Sequence, residues 1–156
     1  MTLKELIRRI EATAQGESAV HTIVRDDVYK LDRDDVARYG VFAWTQGQHQ
    51  QTGATSGVRQ YAMTLYYIDR LRDDEANQLD VQSVGIEVLT NILRKLASAG
   101  LPTSGLAFQP FTQKFADLCA GIYVSVTFTA PTGGNTCGQS YAADFNDDFN
   151  DDFYTL

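Results

Sequence analysis

The sequence predicts an α+β fold in which two amphipathic helices cover one face of a mostly antiparallel sheet of about four to five strands. Two kinds of periodicity predict it. Apolar residues recur at helical spacing in residues 3–14 and 81–96, and they alternate with polar residues in residues 58–68 and 121–130. Shorter β-branched or aromatic runs lie between these segments, which gives the predicted order α-β-β-β-α-β-β.

The first helix is predicted from Leu3 to Ala14. Thr2 and Glu5 form a Thr-x-x-Glu capping-box pattern at its start, and Gly16 follows its last apolar position. The apolar side chains form one stripe and the charged side chains lie opposite, so we expect this helix to lie on the sheet.

Three strands are predicted after the first helix. Residues 19–24 are a β-branched run, and residues 39–46 are a second apolar run. Residues 47–57 are polar, rich in glycine and too long for a tight turn, so we expect an extended loop at the tip of a hairpin. The third strand, residues 58–68, completes that hairpin by alternating apolar and polar side chains.

The second half of the domain is predicted as a helix followed by two strands. Asp80 is expected to cap the helix, which runs to Leu96 and stops before Gly100. The strands are predicted at residues 108–115 and 121–130, and the second of these alternates most regularly.

Residues 1–131 are therefore predicted to form the α+β domain, and residues 132–156 a linker and an acidic tail. The tail repeats Phe-Asn-Asp-Asp and contains no basic residue. We interpret it as a docking segment that places aromatic rings in pockets of a partner and carboxylates opposite basic side chains; a disordered segment that serves only solubility stays open as an alternative. The predicted contact residues are Phe145, Phe149, Phe153, Asp147, Asp148, Asp151 and Asp152 in the tail, and Gln48, His49, Gln50 and Gln51 in the hairpin loop.

The charge distribution disfavours nucleic acid as the main partner. The net charge is −7, but residues 1–143 carry 15 acidic and 13 basic side chains, so the tail holds most of the excess. Phosphate binding requires a clustered excess of Lys and Arg, which is missing here. No apolar run approaches the ~20 residues of a membrane span, and the charged start lacks the apolar run of a signal peptide. We therefore expect a protein made in the cytosol.

No catalytic, cofactor-binding or metal-binding residue is predicted. His21 and His49 lack an identifiable activating partner, and the chain contains no nucleophile elbow, GxGxxG or Walker A motif. An EF-hand is excluded for the tail, because the invariant glycine and terminal Glu are missing. Cys119 and Cys137 are expected to be a buried strand thiol and a loop thiol, although a disulfide between them stays open.

Three Arg-Asp-Asp triplets begin at Arg25, Arg33 and Arg72. Paired carboxylates can bind divalent cations in nucleases. Because each pair lies in a connecting segment beside its own arginine, we interpret the triplets as solvated turns or as salt bridges between subunits. The metal-dependent nuclease stays open as a remote alternative, in which Asp26, Asp27, Asp34 and Asp35 would hold the metal.

The late segment, residues 115–131, contains Asp117-Leu-x-x-Gly121 leading into a final alternating strand. Together with the opening helix, the long hairpin of residues 39–68 and the helix of residues 81–96, it resembles the tail-terminator, tail-completion and neck (head–tail connector) proteins of tailed bacteriophages. The small proteins of crAss-like phages are included in this resemblance. The tail after Pro131 is not part of the pattern.

The resemblance implies a virion structural protein without enzymatic activity. It would form a homo-oligomeric ring of about six or twelve copies at the head–tail junction or at the end of the tail tube. It would be made in the host bacterial cytoplasm and would contact itself and adjacent tail or neck proteins, with DNA only as passing cargo. A monomeric adaptor or regulator that presents the acidic aromatic tail to a partner is the main alternative from another class.

Overall fold

The computed structural model describes residues 1–32, 38–53, 57–72, 76–115 and 117–131. Its elements follow in this order: α1 (Leu3–Gln15), β1 (Thr22–Arg25), a 3-10 helix (Val28–Asp32), β2 (Val41–Gln46), β3 (Gln50–Gln51), β4 (Val58–Arg70), α2 (Gln78–Ser98), β5 (Thr103–Lys114) and β6 (Leu118–Pro131).

The strands form one mixed sheet in the order β1-β2-β4-β6-β5, and β3 pairs with β4 outside this path. All pairs are antiparallel except β1 with β2, which is parallel. The α+β prediction, with a mostly antiparallel sheet and two helices, is confirmed.

The main core lies between the helices and one face of the sheet. β4 and β6 alternate as predicted, so every second side chain of each strand points toward the helices. Both helices contribute to the same cluster of buried side chains, which includes Leu6 and Ile10 from α1, Leu89 and Ile92 from α2, Met63 and Leu65 from β4, and Val124 and Phe128 from β6.

A smaller core covers one end of the opposite face. Leu31 of the 3-10 helix packs there with Val41, Ile68, Phe115 and Cys119. The 3-10 helix therefore acts as a partial second layer, and within the described residues no further element covers the rest of that face of the sheet. This second core was not predicted, because residues 28–31 show neither helical nor strand periodicity over enough length.

The predicted cap of α1 is confirmed. Thr2 Oγ1 accepts a hydrogen bond from the backbone N–H of Glu5 at 3.2 Å, which satisfies one of the free donors at the start of the helix. Leu6, Ile10 and Ala14 are fully buried, as the apolar stripe predicts.

The predicted cap of α2 is wrong. The helix begins at Gln78, and Asn77 occupies the N-cap position without a capping hydrogen bond from its side chain. That side chain is used elsewhere, because its Oδ1 accepts from the N–H of Arg72 and its Nδ2 donates to the carbonyl of Arg70. Asp80 lies in the first turn instead, where its negative charge still favours the helix dipole.

The later strands are longer than their alternating patterns indicate. β5 begins at Thr103 rather than at residue 108, because a register shift between Ser104 and Ala107, with Gly105 at φ 74°, interrupts the alternation. β6 begins at Leu118, before Gly121. Residues 118–121 of the Asp-Leu-x-x-Gly segment are thus the first part of the strand, and Asp117 precedes it.

Candidate functional site

The uncovered face of the sheet carries a cluster of three aromatic side chains. Tyr66 of β4 lies opposite Tyr123 of β6, and Phe111 of β5 lies beside both. The ring centroids are 5.7 Å apart for Tyr66 and Tyr123, 6.3 Å for Tyr66 and Phe111, and 6.1 Å for Phe111 and Tyr123. Three strands that are distant in sequence therefore build one aromatic surface.

This surface forms the floor of an open pocket of about 240 Å³. The segment after β1 and the 3-10 helix form another wall, and Phe115, directly after β5, contributes a further aromatic ring. The lining residues are Asp26, Asp27, Val28, Tyr29, Thr45, Tyr66, Phe111, Gln113, Phe115 and Tyr123. We call this site the aromatic pocket.

The carboxylates of Asp26 and Asp27 reach the aromatic pocket because the chain turns sharply after β1. Asp26 has φ 61°, a left-handed conformation that Asp tolerates better than most residues. Its N–H still donates to the carbonyl of Trp44 at 2.9 Å, and its Oδ1 accepts from Gln46 Nε2 at 3.4 Å. Asp27 Oδ1 accepts from the N–H of Tyr29 at 2.9 Å, which starts the 3-10 helix.

Gly121 allows Phe111 to lie against the sheet. A Cβ atom at this position would lie 2.2 Å from the carbonyl oxygen of Tyr67 and 2.8 Å from Cζ of Phe111. The glycine of the Asp-Leu-x-x-Gly segment is therefore required by the close approach of a neighbouring strand and an aromatic ring.

The groups beside the smaller core are not set up for nucleophilic chemistry. Burial raises the pKa of the Cys119 thiol to about 11, so the thiol stays protonated at neutral pH. Burial, followed by the hydrogen bond from its hydroxyl to Asp117 Oδ2 at 2.8 Å, raises the pKa of Tyr39. Asp117 also pairs with Arg70 at 3.4 Å, so we interpret this cluster as structural.

Glu11 is the buried charged side chain of the described residues, at 8% exposure. Its carboxylate accepts two hydrogen bonds from Arg25, at 2.7 and 2.8 Å, and one from Trp44 Nε1 at 3.0 Å. The bond from Arg25 holds the pKa of Glu11 below its ordinary value of 4.5, against the opposing effect of burial. The carboxylate joins α1 to β1 and β2, and this role accounts for its burial.

The predicted contact residues of the hairpin loop are only partly available to a partner. Gln48 is exposed, but Gln50 and Gln51 form β3 and pair with Gln60 and Arg59 of β4. The side chain of Gln51 is also held in place, because its Oε1 accepts a hydrogen bond from Arg59 Nε at 2.9 Å. The prediction of one extended loop over residues 47–57 is therefore wrong at residues 50–51, because β3 continues the pairing of β2 along β4.

His49 is held against the sheet by its neighbours. Its ring meets the Tyr61 ring edge to face at 5.5 Å between centroids, and its Nε2 lies 3.2 Å from Gln46 Oε1. Its Nδ1 is buried without a hydrogen-bond partner. No acidic side chain orients this ring within the described residues, and a base would need such a group.

The other predicted site residues fall partly or wholly outside the described residues. Phe145, Phe149, Phe153 and the tail aspartates Asp147, Asp148, Asp151 and Asp152 lie outside them, as do Asp34, Asp35 and Cys137. Of the first Arg-Asp-Asp triplet, Arg25 pairs with Glu11, while Asp26 and Asp27 face the aromatic pocket. Within the described ranges, no three His, Cys, Asp or Glu side chains are grouped to hold a metal ion.

The aromatic pocket was missed by sequence reasoning. Tyr66 and Tyr123 occupy outward positions of alternating strands, where polar residues are the rule, and that contrast was the available signal. The pairing of β6 with β4 on one side and β5 on the other, which brings the rings together, has no signature in the sequence.

No protein-family model matches the chain, and no curated protein matches its sequence. Neither helix of the described part of the chain is long and apolar enough to cross a membrane.

Proposed function

We propose that the chain is a structural subunit of a phage virion that forms a ring at the head–tail junction or at the end of the tail tube. The resemblance of residues 1–131 to tail-terminator and neck proteins suggests this role. The observation that carries the proposal is that the domain presents two unlike surfaces, one helical and one an open sheet face. In this proposal the chain has no catalytic role, and its final location is the virion.

Unlike surfaces suit a closed ring. A ring subunit contacts its two neighbours through two different patches, which are joined head to tail around the symmetry axis. The helical face carries the charged outer side of α1, including Lys4 and Arg8, whereas the opposite face exposes the aromatic pocket. A symmetric dimer would need one self-complementary patch instead.

The β5 side of the domain supports such contacts. β5 is 12 residues long and lies at the edge of the sheet, with β6 as its strand partner among the described residues. Leu79 and Ile86 lie two turns apart on one side of α2 and are 76% and 42% exposed, and Leu106 of β5 is 46% exposed. A hydrogen bond of 3.0 Å from Gln78 Nε2 to Thr112 Oγ1 holds the start of α2 beside β5. Open strand edges and exposed apolar side chains commonly mark protein contacts.

The distribution of charge supports a role for the tail in assembly. Residues 1–131 are close to neutral, with 15 acidic and 13 basic side chains, whereas residues 132–156 carry five Asp and no base. In the proposed ring the tail of one subunit binds basic side chains on the domain of the next, and a tethered contact adds strength without a large interface.

The mass of the purified chain tests the proposal. Light scattering over a wide range of concentrations, combined with negative-stain imaging, is expected to reveal a discrete ring of about six or twelve copies. Because ring subunits can require the growing particle for assembly, the same measurement is repeated with the neighbouring virion proteins present. A chain that stays monomeric in both settings contradicts the proposal.

Variants of the tail separate the ring subunit from the adaptor. Replacing Phe145, Phe149 and Phe153 by Ala keeps the charge of the tail, and replacing its five aspartates by Asn keeps the rings. In a ring subunit these changes weaken assembly of the chain with itself. In an adaptor they abolish capture of a different protein and leave the mass of the chain unchanged.

A further inference from the structure

The aromatic pocket combines aromatic walls with negative charge. Five of its lining side chains are aromatic: Tyr29, Tyr66, Phe111, Phe115 and Tyr123. The Tyr66 and Phe111 rings are inclined at 83°, the Tyr29 and Phe115 rings at 66°, and the Phe111 and Tyr123 rings at 50°. The Tyr66 and Tyr123 rings are tilted by 34° and come nearest to a parallel stack. Since the other pairs are steeply inclined, ring faces remain for a further group. The face of an aromatic ring carries partial negative charge.

Among the described residues, the charged side chains that line the pocket are those of Asp26 and Asp27, and none of the lining side chains is basic. Each carboxylate uses one oxygen, Oδ1, in the hydrogen bonds described above, and neither pairs with a basic side chain of the described residues. The two basic side chains nearest in sequence are used elsewhere. Arg25 binds Glu11, and Lys30 Nζ donates to the carbonyl of Arg25 at 2.6 Å.

Such a pocket favours a cation. Aromatic faces attract ammonium and guanidinium groups, and carboxylate oxygens with spare capacity form charge-assisted hydrogen bonds with them. Guanidinium suits the site better than ammonium, because its plane stacks on rings while its edge binds carboxylates. The acidic tail of this chain is a poor occupant, since its aspartates would face Asp26 and Asp27.

The size of the pocket indicates one side chain. Its volume of about 240 Å³ is below the ~300–1,000 Å³ typical of sites for drug-sized molecules. We propose that the aromatic pocket binds an arginine side chain, or less tightly a lysine side chain, presented by a partner protein. This inference does not depend on the ring, because a cationic partner can bind the pocket of a monomer as well.

Two small probes test the proposal on the full chain. N-acetyl-arginine methylamide carries the cation, and N-acetyl-citrulline methylamide has nearly the same shape without it. In two-dimensional NMR titrations, the arginine probe is expected to shift the signals of Phe111 and Tyr123 and of the 26–29 segment, with saturation. The citrulline probe is expected to bind at least about tenfold more weakly.

A charge-removing variant supplies the second measurement. In Asp26→Asn/Asp27→Asn both side chains keep an acceptor oxygen, and Asn tolerates the left-handed conformation of residue 26, so we expect the fold to persist. Affinity for the arginine probe is expected to fall at least about tenfold, whereas Asp80→Asn, on the exposed side of α2, leaves it unchanged.

Several results overturn the proposal. They are equal binding of the two probes, undiminished binding by the double variant, absence of saturable shifts, and shifts that map to another surface. Binding of a Phe-Asn-Asp-Asp peptide at this pocket in preference to the arginine probe also overturns it, and assigns the pocket to the tail. None of these outcomes bears on whether the chain forms rings.

Discussion

At the scale of single residues, the buried carboxylate of Glu11 joins α1 to two strands of the sheet. Three hydrogen bonds from two different strands end on one carboxylate, which is 8% exposed, so the orientation of α1 on the sheet depends on it. Buried carboxylates are retained only where such bonds replace water, because an unpaired charge in the interior is strongly destabilising.

We predict that Glu11→Gln lowers the free energy of unfolding by about 1–3 kcal/mol at pH 7, because the charge-assisted bonds to Arg25 are lost while Trp44 keeps an acceptor. Denaturant titration measures the change. Glu5→Gln is the matched control, since Glu5 pairs with Arg9 on the exposed surface of the same helix and is expected to change stability by less than about 1 kcal/mol.

The same carboxylate gives a pH dependence of known sign. The pKa of Glu11 is lower in the folded chain than its ordinary value of 4.5, so its contribution to stability is fully present above that value. It is lost as the pH falls through the lowered pKa. The difference in stability between wild type and Glu11→Gln is therefore expected to shrink below about pH 4.5. A stability difference between wild type and Glu11→Gln that grows as the pH falls contradicts this prediction.

At the scale of elements, the pairing of β4, β6 and β5 depends on Gly121. We predict that Gly121→Ala lowers the free energy of unfolding by about 1–3 kcal/mol or more, because the new methyl group meets the Tyr67 carbonyl and the Phe111 ring at once. The same methyl group displaces Phe111 from the floor of the aromatic pocket. We therefore expect Gly121→Ala to weaken binding at the pocket as well as to lower the free energy of unfolding.

Gly16→Ala is the matched control for this substitution. A Cβ atom there comes no closer than 3.4 Å to its nearest neighbour, Thr13 O, and Gly16 has φ −77°, which Ala adopts readily. Thermal unfolding of both variants tests the prediction. Equal melting temperatures for the two substitutions would show that β6 can move away from its neighbours without cost.

Elements with a strong periodicity could be predicted from the sequence, and elements defined by partners could not. α1, β4 and β6 follow apolar patterns of helical or alternating spacing, and their burial agrees with those patterns. β1 is only four residues long and pairs in parallel with β2, and β3 is only two residues long. Segments this short take their structure from the strand beside them.

The same distinction applies at the candidate site. A polar stretch could be recognised in the sequence, but a pocket built by several elements could not. Gln48, His49, Gln50 and Gln51 form a recognisable polar stretch, yet the hydrogen bonds of β3 to β4 decide how free they are. The aromatic pocket draws residues from the segment after β1, from the 3-10 helix and from β2, β4, β5 and β6, and only the tertiary fold brings Asp26 close to Phe111. Its assembly depends on strand order, which local propensities do not encode.

At the scale of the whole molecule, both cores lie within residues 1–131. We therefore predict that a chain ending at Pro131 folds with a melting temperature close to that of the full chain, measured by circular dichroism. A full chain with five Asp→Asn changes in the tail serves as the control for charge. A large loss of stability on truncation contradicts this prediction and shows that the tail contributes to the fold.

The sheet order also determines when the molecule can fold during synthesis. β4 and β6 pair along their whole lengths at the centre of the sheet, but α2 and β5 separate them in the chain. β4 therefore lacks its second neighbour until the ribosome has released β6, and one long edge of β4 stays unpaired during that interval. Because the closing contacts are distant in sequence, refolding is expected on a scale of about milliseconds to seconds. The nascent chain is thus most vulnerable to aggregation just before its last strand emerges.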